Sequence, residues 1–283
     1  MKGDREIEVM GIINLTDNSY FPESRCLDEN GNDDMAKVLG RASAMVSAGA
    51  AILDIGACST RPGSTAVGED EEWRRLEPAL RAIRKEFPKV KISVDTYWPS
   101  VVRRVYDLIG DFIVNDVTAG NGMSESADPG EMLRAVGKLG LTYVAMHMRG
   151  NPASMQSLTD YDNVTEDISA YFRDFADKAE DAGVKDWILD PGFGFAKTVE
   201  QNYQLLRELG RFTETGRKIL VGVSRKSMIY RRFNITPEES LPATQVLHYK
   251  ALCEGADILR VHDVAEAVRT VALYRTLEMP AAL

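Results

Sequence analysis

Short apolar runs alternate with long amphipathic segments along the whole chain. The runs span 7–15, 51–55, 92–94, 112–114, 143–146, 187–189, 219–223 and 258–261. Between them lie stretches with helical spacing of apolar positions, at 35–48, 71–87, 99–108, 129–139, 164–182, 199–209, 238–253 and 264–277. Their ends carry the expected punctuation. Asp33 and Asp34 open the first and Gly49 stops it, Pro88 follows the second, Asn163 caps the fifth and Gly183 ends it, and Gly255 stops the seventh. Eight runs and eight helical stretches in strict alternation predict parallel strands joined by right-handed helical crossovers. The runs are continuously apolar, as in strands covered on both faces. An open doubly wound sheet and a closed barrel both fit that pattern. Eight units in about 250 residues match a (β/α)8 barrel, and no GxGxxG follows the first run, so the expectation is a single-domain α/β barrel over 1–283.

Composition narrows the class. The 283 residues are 44% hydrophobic and carry a formal charge of −9, the profile of a folded globular chain. No apolar run reaches the roughly 18 residues of a membrane helix, and the N-terminal MKGDREIEVMGIINL does not read as a secretory signal. The acidic balance disfavours nucleic acid as a partner. Three sparse cysteines, Cys26, Cys58 and Cys253, make no disulfide framework and point to a cytoplasmic setting.

The candidate chemistry sits where the runs end. In order, they carry or lead into Asn14, Asp54, Asp95-Thr96, Asn115-Asp116, His147, Asp190-Pro191-Gly192, Ser224-Arg225-Lys226 and Arg260-Val261-His262. A barrel gathers these ends on one face, where barrel active sites lie. Arg260 and His262, two apart on a strand, share a side. With Asn14 they form a nest for an anion such as a phosphate, with the Asn14 amide oxygen able to ligate Mg²⁺. Asp95, Asn115, Asp190 and Lys226 suit a flat heterocycle with N–H donors and a carbonyl. Met146, Phe195 and Ile113 offer apolar faces for such a ring. The purely structural alternatives are a rim salt bridge for Arg260 and pairing of Asp95 and Asp190 with Lys226 or Arg225.

Taken together, the segments MGIINLT (10–16), GAAILDIGACSTRPGS (49–64), ISVDTY (92–97), FIVNDVTAG (112–120), AMHMRGNPASMQ (145–156), ILDPGFGFAKT (188–198), LVGVSRKSMI (220–229) and GADILRVHDV (255–264) resemble the dihydropteroate synthase family, the sulfonamide target of folate biosynthesis. The resemblance implies a Mg²⁺-dependent, homodimeric transferase. Its substrates would be 6-hydroxymethyl-7,8-dihydropterin pyrophosphate and p-aminobenzoate. It further implies that Asn14 is the metal ligand and that Asp95, Asn115, Met146, Asp190, Phe195, Gly222 and Lys226 hold the pterin. Asp95, Asp190 and Lys226 would serve the chemistry, Asn14, Arg260 and His262 the pyrophosphate, and Thr60, Arg61, Pro62 and Ser224 the p-aminobenzoate. The first loop departs from the family pattern, reading Thr16-Asp17-Asn18-Ser19-Tyr20 in place of Thr-Pro-Asp-Ser-Phe. Cys58 stands where a glutamate is common, and reads as packing. Two rival readings share the pterin grip: a methyltetrahydrofolate-dependent methyltransferase and a non-catalytic pterin-binding homologue. The former has no need of the Ser-Thr-Arg-Pro-Gly, Ser-Arg-Lys and Arg-Val-His segments.

Overall fold

Eight parallel strands lie in one sheet with the neighbour order β6-β5-β4-β3-β2-β1-β8-β7. They are β1 (Glu8–Asn14), β2 (Ile52–Gly56), β3 (Lys91–Asp95), β4 (Ile113–Asp116), β5 (Thr142–Met146), β6 (Trp187–Asp190), β7 (Leu220–Val221) and β8 (Ile258–Val261). The ring closes between β6 and β7 through a parallel bridge at Leu189 and Ile219, where Leu189 N donates to Lys218 O at 2.9 Å. This computed structural model describes residues 5–15, 34–58, 67–122, 128, 130–151 and 154–278. The expected (β/α)8 barrel is therefore the fold.

Among the described residues nine α-helices cover the outside: α1 (Met35–Ser47), α2 (Glu69–Glu86), α3 (Pro99–Ile109), α4 (Glu131–Leu139), α5 (Val164–Asp181), α6 (Val199–Arg207), α7 (Ser227–Phe233), α8 (Leu241–Cys253) and α9 (Val264–Glu278). The caps follow the sequence signals. Asp34 accepts from the N–H groups of Ala36 and Lys37, and Asn163 from those of Thr165 and Glu166. Thr198 and Gln201 form a capping box on α6. Gly49, at φ 100°, leaves α1 through a conformation that side chains resist.

Three differences from the sequence expectation have local causes. Helix α7 is an additional element, a short turn after Ser224-Arg225-Lys226 with too few residues for an apolar periodicity. The stretch 238–253 divides into a 3-10 turn (Glu238–Ser240) and α8, whose first turn holds Pro242, a residue with no N–H to donate. Helix α4 starts at Glu131 because Gly130 before it sits at φ 88°, outside helical space.

Side chains alternate across each strand. Met10, Ile52, Val144, Ile188, Leu220 and Ile258 fill the barrel interior as an apolar layer, with Ile113 packed against it. The larger core lies between the strands' outer faces and the helices, where Tyr143 stacks on Phe175 at 5.9 Å. Below the inner layer, at the strand N-termini, Glu8 is buried and clamped by Lys91 at 2.6 Å and Lys218 at 3.1 Å. A cavity of about 640 Å³ opens at this lower end, and Ile113 lines it. Ile113 is thus part of the barrel floor, and the expectation that it faces a ring in the upper pocket is corrected. It lies one strand residue pair below Asn115, on the inner side, at the wrong depth.

Candidate active site

Strand register builds the site. Neighbouring strands pair Asp54 with Ser93, Asp95 with Asn115, and Met146 with Asp190. Alternation keeps these residues, together with Arg260, on the inner side of the ring above the apolar layer. The residues expected at the strand ends therefore meet in one cup: Asp95, Asn115, Met146, Asp190, Gly222, Lys226 and Arg260.

Arg260 is the hub. Its Nε donates to Asp54 Oδ2 at 2.7 Å, and a terminal nitrogen lies 2.6 Å from Asp54 Oδ2 and 2.9 Å from Asp95 Oδ2. Asp54 also accepts from Ser93 Oγ at 2.6 Å and from Asn115 Nδ2 at 3.3 Å to each oxygen. The rim salt bridge considered for Arg260 thus exists, but inside the mouth and to Asp54 and Asp95. Arg225 takes a different partner, gripping Asp263 with two bonds of 2.8 Å. Arg225 adopts φ 54°, a left-handed turn of the backbone between Ser224 and Lys226.

Lys226 reaches the carbonyl of Phe193 and stands 4.6 Å from the centroid of the Phe195 ring. Gly222 leaves space there: a Cβ would come within 4.0 Å of both Lys226 Nζ and Arg260 Cβ. Asp190 accepts from Gly192 N at 2.8 Å. Gly192 itself sits at φ 71° with room for no side chain, since a Cβ would lie 2.0 Å from His147 O. Met146, Tyr97 and Val117 form a buried apolar wall, with Phe195 packed against it. Aromatic and apolar faces beside carboxylates make a slot for a flat polar ring.

His262 faces Ser224. Ser224 Oγ accepts from His262 N at 3.2 Å and lies 3.0 Å from Nδ1. Burial, reinforced by Arg260, pulls the imidazole pKa down to about 3, so the ring is neutral.

The electrostatics follow from burial. Desolvation raises the Asp95 pKa to about 7 against the pull of Arg260, and raises that of Asp190 against Lys226. Desolvation lowers Lys226 to about 8, opposed by Asp190. These charges are costly to bury and gain from a ligand that pairs with them.

Sequence reasoning passes over several groups. Asp54 is visible in its run but receives no role there, because it lies inside the apolar stretch rather than at its end. Lys197 is buried, donates to the carbonyls of Gly192 and Phe195 at 2.9 Å each, and lies 3.2 Å from His147 Nδ1. It ties down the loop that carries Phe195. Its sequence signal is a lysine in an otherwise apolar and glycine-rich segment. Glu72, on α2, is fully buried, and neither oxygen has a hydrogen-bond partner among the described residues. Burial pushes its pKa to about 8, with Thr96 opposing the rise. Asp116 serves the fold, accepting from Thr118, Gly120 and the Tyr143 hydroxyl. Cys58 sits 3.1 Å from the Tyr97 hydroxyl, and burial raises its thiol pKa, which suits packing rather than nucleophilic attack.

Thr60, Arg61 and Pro62, and the altered loop with Asp17 and Asn18, lie outside the described residues. Asn14, at the end of β1, pairs in register with Gly56, which in turn pairs with Asp95, so Asn14 stands at the mouth level with Asp95 and one strand away from it.

Comparison with known proteins agrees with this geometry. Residues 10–262 match the pterin binding enzyme family. The dihydropteroate synthase of Escherichia coli (strain K12) is 38% identical over 265 residues, 93% of this chain and 89% of its own. That of Synechocystis sp. is 38% identical over 259 residues, 90% of this chain and 85% of its own. Among solved structures, Yersinia pestis dihydropteroate synthase with a sulfonamide drug complex superposes with a TM-score of 0.85 at 34% identity, covering 96% of this chain and 94% of that one. The Thermus thermophilus enzyme in complex with 4-aminobenzoate gives 0.81 at 34% identity, covering 96% and 95%. With the barrel, the acceptor-lined mouth and these relatives in agreement, the chain belongs to the pterin-binding enzyme family, among the dihydropteroate synthases.

Proposed function

We propose that this chain condenses 6-hydroxymethyl-7,8-dihydropterin pyrophosphate with p-aminobenzoate, giving 7,8-dihydropteroate and pyrophosphate. The observation that carries this reading is one barrel mouth in which the acceptor-lined slot of Asp95, Asn115 and Asp190 is bordered by Arg260.

The ring of the pterin carries N–H donors, which Asp95, Asn115 and Asp190 accept, and Lys226 supplies a donor to its acceptor atoms. Met146 and Phe195 cover its faces, and Gly222 gives it room. Arg260, His262 and Asn14 meet the pyrophosphate. Thr60, Arg61 and Pro62, assigned by their motif, receive p-aminobenzoate together with Ser224.

Magnesium fits this donor set in a particular way. Among the described residues no cluster of three or more His, Cys, Asp or Glu side chains forms a cage. A Mg²⁺ ion commonly arrives with substrate phosphates and waters and needs only one or two protein oxygens, a part that the Asn14 amide can fill. When bound, it neutralises charge on the departing pyrophosphate.

The C–O bond to the pterin methylene breaks, and both electrons leave with the pyrophosphate. Arg260 and His262 stabilise that departing anion. The methylene cation is conjugated with the ring, and the ionised carboxylates of Asp95 and Asp190 stabilise it electrostatically. The amine nitrogen of p-aminobenzoate, neutral near pH 7, donates its lone pair to form the new C–N bond and then loses one proton. No strong base is needed, since the attached amine becomes strongly acidic. Exclusion of water protects the cation from the competing nucleophile.

Two coarser points belong to the same reading. No helix among the described residues is long and apolar enough to cross a membrane, and a cytoplasmic location accords with the sparse cysteines. Exposed Val246 on α8 and Leu273 and Leu277 on α9 support a homodimer.

Mass analysis of a reaction containing both substrates and Mg²⁺ tests the assignment, with 7,8-dihydropteroate as the expected product. Methyl transfer from methyltetrahydrofolate, or pterin binding without product, contradicts it.

A further inference from the structure

Asp54 has no place among the groups that meet substrate, yet it holds the mouth together. It is fully buried on β2 and accepts from donors on three other strands: Ser93 on β3, Asn115 on β4 and Arg260 on β8. Arg260 can only donate, so Asp54 meets it as an acceptor. Asn115 must therefore turn its amino group toward Asp54, and its carbonyl oxygen is the atom left for an N–H of the ligand. The same logic applies to Arg260. Its Nε and one terminal nitrogen are held by Asp54 and Asp95, so the other terminal nitrogen is the one directed away from Asp54.

We propose that Asp54 is a positioning residue that fixes the donor and acceptor pattern of the pterin pyrophosphate site, setting the amide orientation of Asn115 and the working edge of Arg260 at once. The proposal rests on the function given above. Asp54 itself touches no substrate. Ser93, its register partner, keeps the carboxylate aligned by a 2.6 Å bond.

The test is steady-state kinetics on Asp54→Asn, varying each substrate in turn. An amide at 54 can donate or accept, so it no longer dictates how Asn115 is turned, and Arg260 loses one of its two counter-charges. The KM for pterin pyrophosphate is expected to rise roughly tenfold or more, the loss of one directed hydrogen bond, while the KM for p-aminobenzoate stays within about twofold. The exchange variant Asp54→Asn/Asn115→Asp restores an amide facing a carboxylate with an oxygen toward the ligand, and should recover several-fold of that loss. If Asp54→Asn does not fold, Ser93→Ala serves instead, with a several-fold rise confined to the pterin substrate. Equal rises in both KM values, no change in either, or no recovery in the exchange variant overturns the proposal. Wild-type protein without turnover would instead overturn the functional reading, so the two failures are distinct.

Discussion

Arg260 stands 2.9 Å from Asp95 across the barrel mouth, so the group proposed for the pyrophosphate and a group proposed for the ring hold each other before substrate arrives. In the proposed complex Arg260 keeps this pairing and meets the pyrophosphate with the terminal nitrogen that Asp54 and Asp95 leave open. Arg260→Ala is therefore expected to raise the KM for pterin pyrophosphate about tenfold to a hundredfold, as for the loss of charge-assisted bonds. The KM for p-aminobenzoate should change little. Unequal effects in a two-substrate titration verify the anion role, and equal effects contradict it. The variant also leaves Asp54 and Asp95 without their cation, so its urea midpoint should fall.

The site's pH response follows from two groups. In its proposed role Asp95 offers both oxygens to ring N–H groups, and its negative charge to the methylene cation, only when ionised, and its pKa is raised to about 7, so kcat/KM for the pterin substrate should climb as pH rises through that region. Lys226 acts as a cation, and its pKa is lowered to about 8, so kcat/KM should decline at higher pH. The profile is a bell whose limbs belong to the coupled set rather than to isolated residues. Lys226→Arg, cationic throughout this range, should push the alkaline limb upward. An unmoved limb would place it elsewhere.

Lys226→Ala removes the donor beside Phe195 and the positive charge that most opposes the raised pKa of Asp190. The Asp190 pKa should rise further. Pterin affinity, read by calorimetry with the pyrophosphate substrate, should weaken about tenfold to a hundredfold. Near-normal affinity would remove Lys226 from the pterin set.

Glu72 offers a stability measurement independent of turnover. Its folded-state pKa of about 8 exceeds the unfolded value near 4.5, so the folded form holds an extra proton between those limits. Stability from this group is present below pH 4.5 and is lost as pH rises toward 8. Glu72→Gln removes that dependence. Urea unfolding should show the variant more stable than wild type at about pH 9, by several kcal/mol (about 1.4 for each unit by which the pKa is raised), and similar at about pH 5. A variant less stable at both values contradicts this account of Glu72.

The barrel is legible in the sequence because each crossover repeats one pattern, and because caps such as Asp34 and Asn163 act within a few residues of themselves. Asn115, Asp190 and Arg260 are legible because they break apolar runs near the strand ends. What the pattern does not provide is depth and partner choice. Ile113 and Asn115 share an inner face, but only the strand register puts one in the floor and the other in the mouth. Arg260 meets Asp54 and Asp95, from strands far earlier in the chain, through barrel closure. Lys197 matters through the carbonyls of Gly192 and Phe195, a backbone geometry that no residue spacing announces.

Pyrophosphate release, followed continuously with the purified chain, tests the central claim most directly. The account predicts steady release when dihydropterin pyrophosphate, p-aminobenzoate and Mg²⁺ are all present, with a sharp drop when either the amine or the metal is omitted. Tight binding of the pterin substrate with no amine-dependent release would contradict it.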